Sequence, residues 1–449
     1  MNRKTQPGLT ARLKEKLIQH GLERRLRQAD APPALSRNWP QATDSGPNIP
    51  EEHYRFDLHP GYRQLRIIAD GAAQLNIGSP FFRVHEGIAG GRIHLDGRDY
   101  LNFSSYNYLG LAGHPAVQTA AKAAIDSYGT SVSASRLVSG ERALHRELEA
   151  AIASAYGVDA AIAFVSGHAT NVTTIGHLFG PRDLIVHDEF IHNSSLQGIQ
   201  LSGARRLSFA HNDWTALDAL LKQHRRDFER TLIVIEGIYS MDGDFPDLPE
   251  FVDIKRRHKC FLMIDEAHSF GVMGATGLGM REHFSLPADA VDIWMGTLSK
   301  TFAGCGGYIA GETALIEHLK FLAPGFLYSV GMPPPLAAAS LAALRCMRDE
   351  PQRVVTLRER GALFLELARA AGIDTGFSAG VAVIPAIIGS STRATRISAG
   401  LLQRGINVSP ILYPAVPEKL ARLRFFISCE HTEADIREAV GALAAELNG

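Results

Sequence analysis

Two short segments carry side chains suited to acid–base and nucleophilic chemistry. Asp265 ends the apolar run 261–264, and His268 follows it three residues later. Lys300 lies further along, in the run Gly-Thr-Leu-Ser-Lys at 296–300, and three glycines follow it closely. A lysine among small residues and hydroxyls is typical of an amine that attacks a carbonyl group. A carboxylate at the position of Asp265 could hold a protonated ring nitrogen, because an opposite charge favours the protonated form.

A glycine turn upstream of these residues has the features of a phosphate-binding site. Gly167 and His168 follow the apolar run 160–165 and begin a segment of helical character. Backbone N–H groups at the start of a helix attract phosphate, because they have no partners within the helix. Thr297 and Ser299, beside the lysine, could donate further hydrogen bonds to the same group. The residue order of a P-loop does not occur around this lysine.

His192 follows the apolar run 184–187 and has two interpretations. It could be a partly buried histidine that is satisfied by the protein, or an imidazole stacked on an aromatic cofactor. Asp265 could equally be a surface-loop carboxylate, or a metal ligand together with His268. Because no further histidine or cysteine ligand lies nearby in sequence, we expect no metal site.

The elements that must position these side chains alternate between strand and helix from about 100 to 330. Continuous apolar strands in such an alternation predict a mostly parallel sheet that is buried on both faces. Ligands bind beyond the carboxyl ends of such strands, where the polar clusters above lie. The predicted strands are 160–165, 184–187, 231–235, 261–264, 293–295 and 307–310, and the clearest helices are 114–128, 140–156 and 213–226.

The composition changes after Pro333, where an Ala/Leu-rich helix to about 349 begins a smaller α+β part. We predict helices 352–371 and 432–447 in this part, with strands near 380–388, 406–412 and 421–428. The expected organisation is a basic N-terminal helix and linker at 1–52, an N-terminal segment at 53–100 with a helix near 60–75, a large domain at 101–335 and a small C-terminal domain at 336–449.

Residues 1–29 form a basic amphipathic pattern. Apolar residues recur there at helical spacing, and eight lysines or arginines accompany only two glutamates. We expect a helix that docks on the body of the protein with its basic face in solvent. Contact with an acidic carrier protein or with a membrane surface is an alternative. An organellar transit peptide is a weaker one.

The composition as a whole excludes several classes of protein. The chain has 449 residues with a net charge of −1, so no nucleic-acid partner is expected. Its apolar and charged fractions, 45% and 21%, are those of a globular protein. The four cysteines are too dispersed for a disulfide framework. No apolar run reaches the length of a membrane span or of a secretory signal. We therefore expect a cytoplasmic protein.

These segments follow one another as in the α-oxoamine synthases, and the chain closely resembles that family from about residue 80 to 445. The resemblance implies the α/β fold of fold-type I pyridoxal-phosphate transferases, as in aspartate aminotransferase. It also implies pyridoxal 5′-phosphate as cofactor, and a homodimer with shared active sites. The motifs that carry the resemblance are 102–110, 135–140 with His145, 236–243, 265–268, the lysine segment 294–311, 327–334, 413–417 and 421–424.

The resemblance assigns a role to each candidate. Lys300 would form a Schiff base with the cofactor and later move the substrate α-proton. Asp265 would pair with the pyridine nitrogen, His192 would stack on the ring, and His268 would lie near the ring hydroxyl; these four would be the catalytic residues. The other cofactor-binding residues would be Gly167, His168, Ser240, Thr297 and Ser299.

For the substrates, the resemblance implies that Arg424 binds the amino-acid carboxylate, since a guanidinium can donate two parallel hydrogen bonds. Asn107 would reach in from the second subunit, and Arg83 would be a further substrate-binding residue. The implied reaction is a decarboxylative Claisen condensation of serine, glycine or alanine with acyl-CoA or acyl carrier protein, giving an α-amino ketone. The lysine segment resembles that of serine palmitoyltransferases, and 76–84 and 128–136 resemble polyketide-associated members, which favours a long-chain or carrier-bound donor.

The sequence departs from the family pattern at three places and leaves two other functions open. His168 replaces the usual aromatic residue, Val330 and Gly331 replace hydroxyl residues, and Ala415 replaces a threonine. An ordinary aminotransferase would share the lysine, the aspartate and the arginine. A noncatalytic subunit of a two-chain synthase should lack Lys300, which argues against that alternative.

Overall fold

The computed structural model describes residues 49–74 and 79–448, and it divides the chain into two compact units with the boundary between Phe82 and Arg83. The first unit contains the short turns Glu51–His53 and Phe56–Leu58 and the helix Pro60–Gln74, which confirms the helix predicted near 60–75. The basic helix predicted for residues 1–29 lies outside the described residues. Within the described ranges, no helix is long and apolar enough to cross a membrane.

The second unit is built around a seven-stranded sheet, in which the strands lie in the order β3 (Ala160–Phe164), β9 (Gly307–Gly311), β8 (Ile293–Thr297), β7 (Phe261–Asp265), β6 (Thr231–Glu236), β4 (Leu184–Asp188) and β5 (Arg205–Phe209). Only β9 runs antiparallel to its neighbours, so the expected mostly parallel sheet is confirmed. The strands of the described residues are β1 Arg92–Leu95, β2 Arg98–Asn102, β3 Ala160–Phe164, β4 Leu184–Asp188, β5 Arg205–Phe209, β6 Thr231–Glu236, β7 Phe261–Asp265, β8 Ile293–Thr297, β9 Gly307–Gly311, β10 Val383–Ile387, β11 Ile406–Asn407, β12 Ser409–Ile411 and β13 Arg422–Phe426.

The central strands of this sheet are buried on both faces. Every residue of β4 and of β6 is buried. Along β6, Ile233 and Ile235 join one hydrophobic cluster, whereas Leu232 and Val234 join a second cluster. This alternation follows from the strand geometry, in which successive side chains point to opposite faces. The core therefore leaves polar side chains only at the strand ends, where a site can form.

Helices connect the strands and cover both faces of the sheet. The helices predicted within the described residues are all present, with ends shifted by a few residues. Some begin at side-chain caps; Ser166 Oγ, for example, accepts a hydrogen bond from Ala169 N at 3.3 Å. The α-helices of the second unit are Pro115–Tyr128, Ala143–Tyr156, Gly167–Leu178, Asn193–Ser202, Trp214–His224, Leu248–His258, Gly279–His283, Thr313–Leu322, Pro324–Leu327, Pro334–Asp349, Gln352–Ala370, Ser391–Gln403 and Glu433–Asn448.

The C-terminal part contributes two smaller sheets. One is antiparallel, with the order β10-β13-β12, and its central strand carries Arg424. The other has the order β1-β2-β11 and pairs Leu101 with Ile406. Strands from before residue 103 thus pair with a strand of the predicted C-terminal domain. Residues 83–448 group as one compact unit, so the division at 335 stays a prediction.

Candidate functional site

A cavity of about 230 Å³ lies at the carboxyl ends of β6, β7 and β8. All nine residues that were predicted to bind the cofactor line it, although they come from five separate stretches of sequence. They are Gly167, His168, His192, Ser240, Asp265, His268, Thr297, Ser299 and Lys300. The cavity is also lined by residues to which no role was assigned from the sequence, namely Ser166, Asn171, Ser194, Glu236, Ala267, Met295 and Cys305.

Asp265 is fixed in this cavity by two hydrogen bonds. It is the last residue of β7 and is buried. Its Oδ1 accepts from Ala267 N at 2.9 Å, and its Oδ2 accepts from Asn171 Nδ2 at 2.8 Å. The same amide donates to Ser194 Oγ at 2.9 Å. Asn171 therefore sets the orientation of the carboxylate, and sequence reasoning missed it because a polar residue inside a helix carries no local signal.

Lys300 follows β8 in a tight loop, and the pKa of its amine lies well below that of a free lysine. Burial lowers the pKa of Lys300 to about 8, against the opposing effect of the Asp265 and Glu236 carboxylates. Its Nζ lies 5.5 Å from the ring centroid of Tyr106. The neutral amine, which is the form that attacks a carbonyl carbon, is therefore far more populated near physiological pH than in a free lysine.

The predicted phosphate turn has the geometry of an anion cradle. Gly167 begins its helix beside the lysine loop, where Thr297 Oγ1 donates to Gly306 O at 3.0 Å. Ser299 Oγ accepts from Gly306 N at 3.2 Å. A Cβ atom at position 167 would lie 2.8 Å from Thr297 Oγ1, so only glycine allows the helix N-terminus to approach this loop closely. Gly167, His168, Thr297 and Ser299 all line the cavity, so the N-terminus of a helix and two hydroxyl residues are available there to a phosphate.

His192 lies exposed on the cavity wall and caps the helix Asn193–Ser202. Its Nδ1 lies 2.7 Å from Ser194 Oγ and accepts from Ser194 N at 3.3 Å. The ring of His168 meets it edge-on, with centroids 6.5 Å apart. Although His192 is exposed at the cavity wall, the protein around its ring displaces water and lowers its pKa, so the neutral form dominates at physiological pH. A neutral imidazole that lines the cavity is available for stacking.

His268 differs from His192 because it is buried. Its Nδ1 lies 2.7 Å from Tyr108 Oη. Burial, with the positive charges of Lys300 and Arg424, holds the pKa of His268 well below its usual range. The ring is therefore neutral, and its Nε2 remains available as a donor or acceptor toward the cavity.

Glu236 is a second buried carboxylate at the same sheet edge. It ends β6 and pairs in register with Asp265, and it accepts a hydrogen bond from His192 N. Burial and the nearby Asp265 raise the pKa of Glu236 well above its usual range. The sequence contained a signal for it, since an acidic residue ends a buried strand as Asp265 does. The raised pKa favours the neutral, protonated form of Glu236, which adds no second negative charge beside Asp265.

Arg424 does not line the cavity itself but is bound to a residue that does. Its Nη1 donates to Ser240 O at 2.9 Å, and its Cζ lies 4.6 Å from the ring centroid of Phe426. Its Nε is buried and has no hydrogen-bond partner among the described residues. No carboxylate of the described residues pairs with Arg424, whereas Arg422 pairs with Asp242 at 2.7 Å. Arg424 is thus a buried cation available to an anionic ligand.

Two of the predicted substrate-binding residues lie away from the cavity lining. Asn107 Nδ2 donates to Ala89 O at 3.0 Å, and its Oδ1 accepts from Ala112 N at 3.2 Å, so its amide is satisfied within its own chain. Arg83 is half-buried near Tyr100, and burial lowers its pKa. The role predicted for Asn107 in a second subunit stays a prediction, as does that of Arg83.

The cavity fits pyridoxal phosphate in its chemistry and in its size. The cradle at Gly167 can receive a phosphate, and Asp265 offers a fixed carboxylate to a ring nitrogen. The Lys300 amine can reach an aldehyde, and His192 presents an aromatic face. The volume of about 230 Å³ accommodates a single ring with its substituents.

Comparison with known proteins gives the same assignment. A family model described as aminotransferase class I and II matches residues 98–443. The chain is 40% identical over 387 residues to the 8-amino-7-oxononanoate synthase of Geobacter sulfurreducens, which covers 85% of this chain and 93% of that protein. It is 39% identical over 350 residues to the protein of the same name from Symbiobacterium thermophilum, covering 78% and 89%.

Among solved structures, the chain is similar to serine palmitoyltransferases. One, solved with pyridoxal phosphate, has a TM-score of 0.83 at 27% identity, and the match covers 87% of this chain and 98% of that one. The enzyme of Sphingomonas wittichii has a TM-score of 0.82 at 26% identity, covering 86% and 97%. The fold, the residues that line the cavity and the similar proteins therefore all indicate a protein that binds pyridoxal phosphate.

Proposed function

The chain belongs to the α-oxoamine synthases of the aminotransferase class I and II family, and we propose that it condenses serine, glycine or alanine with an acyl thioester. It is a pyridoxal-phosphate-dependent acyltransferase, and the bound cofactor supplies an electron sink for a carbanion. The choice of substrates is the part that we propose.

The observation that supports an amino-acid substrate is the unpaired Arg424. It is anchored to Ser240 on the cavity wall and packs on the Phe426 ring. That ring lies 4.8 Å from the ring of Tyr106, which in turn lies 5.5 Å from Lys300 Nζ. A carboxylate bound by Arg424 would place the α-carbon of an amino acid toward Lys300. In this arrangement Lys300 Nζ would remove the α-proton, and Asp265 would balance the positive charge of the ring.

The names of the relatives favour related acyl donors for this chain. An 8-amino-7-oxononanoate carries its amino and oxo groups on neighbouring carbons, as expected when an amino acid condenses with an acyl group. The name serine palmitoyltransferase gives serine and a long acyl chain. We therefore include coenzyme A and acyl carrier protein among the possible carriers, and we propose a cytoplasmic homodimer with shared active sites.

The first experiment is an absorption titration of the pyridoxal-phosphate-loaded protein with L-serine, glycine and L-alanine. The true substrate should shift the cofactor band at the lowest concentration. Acyl-CoA or acyl carrier protein is then added, and carbon dioxide release is measured. If keto-acid exchange occurs without carbon dioxide release, the chain is an aminotransferase and the proposed condensation is wrong.

A further inference from the structure

A buried histidine between two carboxylates lies next to the cavity but outside its lining. His211 Nδ1 lies 3.0 Å from Asp188 Oδ1, and His211 Nε2 lies 2.7 Å from Asp244 Oδ2. His211 follows β5, Asp188 ends β4 and Asp244 follows β6, and these three strands are neighbours in the sheet. Both ring nitrogens face a carboxylate, so the ring must carry both protons to satisfy the two contacts.

The charges of this cluster link two segments of the chain. Hydrogen bonds to Asp188 and Asp244 raise the pKa of His211 to about 10, despite its burial. Asn212 Nδ2 also donates to Asp244 Oδ2, at 2.8 Å, and Asn212 N donates to Asp188 Oδ2, at 2.7 Å. An imidazolium between two carboxylates thus ties the end of β4 to the chain segment that contains Asp244.

Asp244 closes a short turn, residues 239–244. Tyr239 N donates to Asp244 O at 2.9 Å, and Gly243 N donates to Tyr239 O at 2.8 Å. A Cβ atom at Gly243 would lie 1.8 Å from Val383 O, so glycine lets this turn contact β10 directly. Because two backbone hydrogen bonds close this turn, we expect a displacement of Asp244 to shift the other residues of the turn with it.

The outer side of the same turn holds β13 of the C-terminal sheet. Ser240 O accepts from Arg424 Nη1 at 2.9 Å, and Met241 O accepts from Arg422 Nη1 at 3.0 Å. Asp242 adds its buried ion pair with Arg422 at 2.7 Å. Arg424 Nη1 also contacts Met241 Sδ at 3.5 Å, so two contacts of its guanidinium go to this turn. The position of Arg424 therefore depends on the turn.

We propose that His211 is a positioning residue, which fixes the 239–244 turn through Asp188 and Asp244 and thereby holds Arg424 in place for the amino-acid carboxylate. This inference rests on the proposed function of Arg424. His211 acts at a distance, because neither it nor its two carboxylate partners line the cavity. Its loss leaves Asp188 and Asp244 as neighbouring like charges, which repel each other and displace the turn.

The test compares variants of the full-length, cofactor-loaded protein by titration with L-serine, glycine and L-alanine. The variants are H211N, the milder D244N, R424A and the double variant H211N/R424A. H258N is the matched control, because His258 pairs with Asp218 at 2.8 Å and has a similarly exposed side chain, 12% against 10% for His211. His258 precedes β7, at the opposite end of the strands from the cavity.

We expect the variants to change the affinity for the amino acid much more than the affinity for the cofactor. H211N raises the Kd for the amino acid about tenfold or more, and D244N raises the same Kd less. In both variants the affinity for pyridoxal phosphate changes less than about twofold. H211N adds less than about twofold in the R424A background, because residues acting through one contact are not additive. H258N leaves the amino-acid Kd unchanged.

Three results would overturn parts of this reasoning separately. If R424A binds the amino acid as the wild type does, the proposed role of Arg424 is wrong. If R424A weakens binding while folded H211N and D244N do not, the positioning inference is wrong. If H211N weakens binding equally with and without Arg424, His211 acts by another route and the inference is also wrong.

Discussion

Replacing Asn171 by alanine tests whether one amide sets the orientation of the Asp265 carboxylate. In the wild type, Asn171 Nδ2 donates to Asp265 Oδ2 at 2.8 Å and to Ser194 Oγ at 2.9 Å. Alanine removes both bonds and leaves Asp265 with only its bond from Ala267 N. We expect Asp265 to turn away from the cofactor ring, so that the ring loses its partner.

The size of the effect follows from the bonds that are lost. A hydrogen bond to a charged group contributes about 1.5–3 kcal/mol, and one between neutral groups about 1 kcal/mol. Since about 1.4 kcal/mol changes an equilibrium constant tenfold, losing the bond to Asp265 should weaken pyridoxal-phosphate binding roughly 10- to 150-fold. Losing only the bond to Ser194 should cost roughly fivefold or less.

The assay titrates apoprotein with pyridoxal phosphate and follows the absorption of the bound cofactor. Ser194→Ala is the control, because it keeps the amide on Asp265 and removes only the neutral contacts of Ser194 Oγ, to Asn171 Nδ2 and to His192 Nδ1. Thermal unfolding of each apoprotein shows whether the variant is folded. If folded Asn171→Ala binds the cofactor within about twofold of the wild type, Asn171 does not orient Asp265 and the reasoning is refuted.

Further outcomes are expected for three other changes. Lys300→Ala should prevent borohydride from fixing pyridoxal phosphate to the peptide that contains residue 300, as seen by mass spectrometry; label retained there would contradict its role. His211 has a pKa raised from 6.5 to about 10, so its stabilisation is complete below pH 6.5 and is lost as the pH rises through about 10. The difference in unfolding free energy between wild type and H211N, measured in urea, should shrink across that window, and a constant difference would count against the imidazolium. Deleting residues 2–29 should raise the Michaelis constant for a carrier-bound acyl donor about tenfold more than that for acyl-CoA, through loss of charge steering; equal effects would rule out carrier docking.

The strand ends were predictable because they depend on local pattern. Continuous apolar runs gave six of the seven strands of the large sheet within a few residues, and Asp265 stands where such a run stops. The edge strand β5 was not predicted, because its sequence Arg-Arg-Leu-Ser-Phe contains no such run. The parallel arrangement then places residues from β6, β7 and β8 at one edge. Gly167 and Lys300 were found for the same reason, since each lies just after a strand.

The residues that orient these groups were not predicted from local sequence patterns. Asn171 is an amide within a helix, and only the packing of that helix on the sheet brings it to Asp265. His211 likewise depends on three strand ends that are distant in sequence. Contacts of this kind join elements whose separation in space is set by the whole core, so no short pattern encodes them.

The sequence by itself predicted six of the seven strands of the large sheet and the places where they end, because these follow from burial and periodicity along the chain. The family resemblance selected Lys300 and Arg424, but only the tertiary structure shows how Arg424 differs from Arg422, which has the same type and lies two residues away on one strand face. Arg422 is neutralised by Asp242, while Arg424 meets only carbonyl, sulfur and aromatic partners. The physical reason is the position of the 239–244 turn, which brings a carboxylate to one guanidinium and leaves the other available to a substrate.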